Sequence, residues 1–132
     1  MTVESFDPTA VDHTISDSRL ARLLDAACCL DEDNFGLGTE EARDLAAVAR
    51  HPESDWSVRA GTLGDEEILA LIRLFTLAES RLPGWESGAA SPVVPLAAAL
   101  KRRGTYPVDL TRWIRSNTAN RFLPYGSLMD RL

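Results

Sequence analysis

Apolar side chains recur at helical spacing through most of this chain, and nowhere do they alternate as a half-buried strand requires. In "SDSRLARLLDAACCL" (16–30), Leu20, Leu23, Leu24, Ala27 and Cys28 fall on one face, and Ser16 or Asp17 is placed to cap the start. "TEEARDLAAVARHP" (39–52) predicts a second helix. Thr39 is its cap, Glu40 and Glu41 sit at the positive end of the dipole, Arg50 and His51 at the negative end, and Pro52 is the stop. "ESDWSVRAGTLG" (53–64) reads as a connector whose Trp56 folds back on the core.

"DEEILALIRLFTLAESRL" (65–82) carries the strongest pattern. Ile68, Leu71, Ile72, Phe75 and Leu82 form a stripe, and Leu69, Leu74 and Leu77 extend it most of the way round, which predicts a central helix. Glu79 falls on that stripe, where a carboxylate needs a partner or a raised pKa. Beyond the loop "LPGWESGAA", Ser91 and Pro92 open a fourth helix as cap and first residue; Val93, Leu96, Ala97 and Leu100 form its apolar line and Gly104 ends it. A fifth follows within "YPVDLTRWIRSNT", with Leu110, Trp113 and Ile114 inward and Arg112 and Arg115 outward.

The chain ends on "NRFLPYGSLMDRL" (120–132), which is unusually apolar for a terminus. Pro124 and Gly126 suit a type I turn, and Ser127 with Asp130 matches a capping box for one short helix. These local shape signals favour a strap packed on the protein's own core over a free hook. They also bring Arg121 toward Glu79, and the two are the candidate buried ion pair. The expected fold class is all-α: a compact bundle of about five helices plus a short C-terminal helix. Residues 1–15 are expected to form a loose N-terminal arm and residues 16–132 a single helical domain.

Composition narrows the setting. At 45% hydrophobic, the 132 residues can build a core without disulfides or a structural metal. Cys28 and Cys29 are adjacent and unsuited to an ordinary bridge, as in a reducing compartment. Neither a leader pattern nor a membrane-length apolar run is present in the sequence, so a cytoplasmic protein with no membrane partner is expected. All but one of the 14 basic side chains are arginine, a bias that high-GC bacterial coding produces. Residues 1–100 carry 7 basic and 18 acidic side chains, a net of −11; residues 101–132 carry 7 and 2, a net of +5, which together give the overall −6. The basic segment lying against the acidic remainder of its own fold is the simpler reading, with an external anionic partner as the other.

Several patterns resemble chemistry. "DEDNFG" places Asp31, Asp33 and Gly36 like the opening of a calcium loop, but Phe35 at position five has no side-chain oxygen and position twelve is Ala42. No metal and no cofactor is therefore expected. The two histidines, His13 and His51, stand in no catalytic pattern. Cys29 follows Asp25 by one turn, which disfavours a thiolate. No catalytic residue is assigned, and a carboxylate-centred enzyme near Glu79 is only a third reading. The stretch 92–118 has helix-turn-helix spacing, with Thr111, Arg112, Arg115 and Ser116 facing out and Lys101, Arg102 and Arg103 available to phosphates. Trp85 joins Arg102, Arg103, Arg112 and Arg115 as an interaction candidate, since tryptophan and arginine dominate interface hot spots. The expected function is a non-catalytic protein-interaction or regulatory module, its partner another protein or a second copy. A nucleic-acid binder using 92–118 is the alternative.

Overall fold

In the computed structural model, which describes residues 15–120 together with 123 and 124, the helix with the widest apolar surface lies at the centre. Six α-helices occur among the described residues: α1 Asp17–Ala27, α2 Thr39–Ala49, α3 Glu53–Ala60, α4 Asp65–Arg81, α5 Val93–Arg103 and α6 Leu110–Asn117. A 3-10 turn at Gly88–Ala90 joins α4 to α5, and no strand is present among these residues. Packed around α4 are α5, α1 and α6, and α5 also covers α3. Ile68, Leu71, Ile72, Leu74, Phe75, Leu77 and Ala78 of α4 are all buried, as a helix apolar on nearly every face requires. The all-α bundle expected from the sequence is the fold. Among the described residues, no helix is long and apolar enough to cross a membrane.

The helix boundaries follow local chemistry, with four departures from the sequence reading. Ser16 Oγ accepts from the Arg19 N–H at 3.2 Å and caps α1. That helix stops at Ala27, so Cys28 takes the cap position and its side chain is exposed rather than on the inner face. Gly38, not Thr39, precedes α2, and Thr39 is its first residue. The presumed connector at 53–64 contains α3: Pro52 ends one helix and caps the next, with Glu53 and Asp55 in the first turn and Arg59 in the last. Its buried residues are only Trp56 and Ala60, one turn apart, while Val58 is exposed, and so short a run makes no periodic pattern. Pro92 is the cap of α5 rather than its first residue, while Ser91 Oγ accepts from the Val93 N–H at 3.2 Å. Gly104, at φ +75°, ends α5 as expected, in a left-handed conformation natural to glycine.

The core is built around three rings. Trp56 meets Phe75 edge-on, with centroids 5.2 Å apart, and Trp85 lies 5.9 Å from Phe75 on its other flank. Each buried indole has found an acceptor on α2: Trp56 Nε1 donates to Val48 O at 3.2 Å and Trp85 Nε1 to Ala42 O at 3.0 Å. A buried indole N–H left unpaired would be costly, so these bonds orient both rings. The segment between α1 and α2 turns inward through Phe35, which is fully buried at φ +55°. Holding a phenylalanine in that region requires its burial and neighbours to outweigh the strain. Arg81 supplies part of this, with its guanidinium 5.3 Å over the ring and Nη1 donating to Leu30 O at 3.0 Å.

Ile15, expected in the loose arm, is buried, and its carbonyl accepts a hydrogen bond from Arg59. The rest of that arm lies outside the described residues. Of the expected strap, Leu123 and Pro124 are buried. Arg121, Phe122, the turn through Gly126 and the short helix from Ser127 lie outside the described residues.

Removing Phe75 from between the two indoles should leave a large cavity; Phe75→Ala is expected to lower unfolding free energy by about 3–5 kcal/mol in denaturant titration. Leu123→Ala is expected to lose about 2–5 kcal/mol in the same measurement. A midpoint equal to the parent's would show that the buried Leu123 contributes nothing to stability.

Candidate functional site

Two surfaces bring together residues that could recognise something, one on α6 and the other between the end of α4 and the residues just after α6. This eight-residue helix is anchored by Leu110 and Ile114, which are buried, with Trp113 partly so. Its first turn is steadied by the Tyr106 hydroxyl, 2.7 Å from Thr111 Oγ1. The exposed side holds Arg112, Arg115 and Ser116, and with Val108, Asp109 and Thr111 these line an open groove of about 490 Å³. Val108 is 96% exposed, the most exposed large apolar side chain among the described residues.

The other predicted cations divide. Arg103 stays at the surface but is tied to its own fold, with Nη1 donating to Asp65 at 2.7 Å and Nη2 to Ala60 O at 2.8 Å, so it fastens the end of α3 to the start of α4. Arg102 is exposed beside it. Trp85 is no surface anchor: it is 2% exposed and hydrogen-bonded to α2, which removes it from any partner's reach. The helix-turn-helix pairing is also altered, because α6 packs chiefly on α4 rather than on α5.

The second surface is a pocket of about 450 Å³ lined by Glu79 and Ser80 of α4, Glu86 and Gly88 of the following turn, and Thr118 and Asn120 just beyond α6. Glu79 is half-buried. Its partner is the Asn120 amide, which donates to its two carboxylate oxygens at 3.1 and 2.9 Å and to Gly88 O at 2.9 Å. Thr118 Oγ1 in turn accepts from the Asn120 N–H at 3.0 Å. The expected arginine partner, Arg121, is outside the described residues. Nothing in the sequence marks Asn120, since an amide that meets its acceptor 41 residues away leaves no local pattern. Glu86 and Val108 were likewise unmarked.

Partial burial pushes the Glu79 carboxyl above its ordinary range, the Asn120 hydrogen bonds oppose this, and the Glu86 charge adds to the rise. Elsewhere, partial burial and then Glu32 raise the Cys29 thiol, so no reactive thiolate is built there. Asp31 and Asp33 are exposed while Phe35 faces inward, and no group of three histidine, cysteine or carboxylate side chains is gathered for a metal among the described residues. No protein-family model, curated protein or solved structure matches the chain.

The folded protein binds the Glu79 proton more tightly than the unfolded chain does. The residue's penalty is therefore absent below the ordinary glutamate pKa and develops as pH rises through the raised value. Glu79→Gln should melt above the parent at about pH 7 and together with it at about pH 3.5, below the ordinary glutamate range. Parallel melting temperatures at both values would mean that solvent screens the charge fully.

Proposed function

We propose that this chain is a small helical protein-interaction or regulatory module, non-catalytic, that docks an acidic surface of another protein through the outer face of α6. The observation that carries this reading is the Val108–Arg112–Arg115 groove. An exposed valine beside the Arg112 guanidinium offers an apolar contact and bidentate hydrogen-bond donors in one groove, and arginine is enriched at protein interfaces. Charge supports a local rather than a general anion attraction, because the chain as a whole carries −6. The same argument favours protein over nucleic acid, as does the packing of α6 on α4, which leaves no separate two-helix reading head. A reducing, intracellular setting remains part of the proposal, on the strength of the unbridged cysteines.

Affinity purification from the source cells, with and without nuclease, tests the reading. A stoichiometric protein should be retained after nuclease by the parent and lost by the Arg112→Ala, Arg115→Ala variant, with both proteins equally helical. Loss of partners on nuclease treatment, together with a shift of random duplex whose affinity falls steeply with salt, would replace the reading with nucleic-acid binding.

A further inference from the structure

We infer that the outer face of α6 pairs two copies of this chain, antiparallel about a two-fold axis, with Asp109 of each copy meeting Arg112 of the other. The groove residues form one continuous strip. Val108, Arg112 and Arg115 follow at i, i+4 and i+7, with Asp109 and Ser116 beside them, so the strip runs from the turn before α6 into its last turn. Val108 is 96% exposed, and Asp109 and Arg112 are exposed with it. Asp109 stands three residues before Arg112, a spacing that permits an ion pair along one helix. Yet neither is in an ion pair with any described residue. Nor is the Asp109 carboxylate engaged as a cap, since α6 has no side-chain cap hydrogen bond. An acid and a base are thus both left open on one short strip.

That composition favours two-fold pairing. A closed dimer needs a patch complementary to itself, and a strip of one charge sign would repel its own copy. When two such strips lie antiparallel, the end holding Asp109 faces the stretch holding the second copy's Arg112, and the symmetry repeats the contact. A parallel arrangement would instead set acid against acid and base against base. A second copy therefore supplies the base that Asp109 lacks together with the acid that Arg112 lacks. Each Val108, one residue before the acid, is carried into the same contact and loses apolar exposure. The patch is small, and two chains of net −6 repel at long range, so the dimer is weak, with a Kd on the order of 0.1 mM. Pairing rests on the groove itself and needs no docked protein; it competes with one for the same face.

Sedimentation equilibrium of the purified chain from about 10 μM to about 1 mM tests this, with circular dichroism to compare helicity. The parent should pass from monomer to dimer across the range. Asp109→Arg and Arg112→Asp each set like charges together and should stay monomeric when alone. Mixed in equal amounts they should associate, because each cross-contact then joins an acid to a base. The double variant Asp109→Arg, Arg112→Asp should regain the dimer by itself, and it decides the question if a single variant loses helicity. A parent that is monomeric at about 1 mM would overturn the proposal. So would dimers that persist in either single variant, helical single variants that ignore each other on mixing, or a helical double variant that stays monomeric. No partner protein enters these measurements, so their failure leaves the docking reading standing, and a failed capture leaves the pairing standing.

Discussion

Two indole N–H groups hold the second helix to the domain, and much of the core depends on them. On its own, α2 has little to pack with: its sequence is rich in alanine, and Leu45 and Val48 are its only large buried side chains. Trp56 comes from α3 and Trp85 from the segment after α4, yet both donate to α2 carbonyls, at Val48 and Ala42. Each carbonyl can accept a second bond without losing its place in the helix, since it has two lone pairs. Between the indoles sits Phe75 of α4, in contact with both. Ring packing and polar satisfaction are thus met by one arrangement, which joins a lightly apolar helix to the most apolar one.

The abundant arginine has a structural role that composition conceals. Arg22 donates to Gly36 O, Arg50 to Gly84 O, Arg59 to Ile15 O, Arg81 to Leu30 O and Arg103 to Ala60 O. Each acceptor is a carbonyl in a connector or at a helix end, where the helical ladder supplies no donor. Arginine suits this because its fork can serve a carbonyl and a carboxylate together. Arg22 does so with Gly36 and Glu41, and its hydrogen bond holds the Glu41 carboxyl below its usual range. Gly84 belongs to the same scheme: at φ +85° it lets the chain turn, and a side chain there would meet Arg50 at 3.0 Å.

Both candidate surfaces adjoin α6 for a related reason. Only Leu110 and Ile114 of this short helix are fully buried and Trp113 is partly so, which leaves the face of Arg112, Arg115 and Ser116 open. Its outer face gathers guanidinium groups beside an exposed valine, and the residues after its end bring an amide to a carboxylate on α4. A helix with two buried anchors places groups firmly while committing few of them to the core.

The sequence by itself determined the elements with long periodic runs. Helices at 17–27, 65–81 and 93–103 were legible because their apolar faces repeat over three or more turns, and Ser16, the acids at 65–67 and Gly104 mark their ends. It also flagged Glu79, since a carboxylate on an apolar stripe breaks a local rule. It did not reveal α3, whose two buried residues make no period, nor that Cys28 lies past the end of its helix. Trp85 and Arg103 read as surface candidates because residue type alone does not say which way a side chain turns. Tertiary structure sent one to α2 and the other to Asp65 and Ala60. The partner of Glu79 among the described residues was likewise decided only by the fold: Asn120 is distant in sequence, and its amide reaches the carboxylate because α6 packs on α4. Periodicity is written in neighbouring residues, whereas pairing across the core depends on how the helices pack.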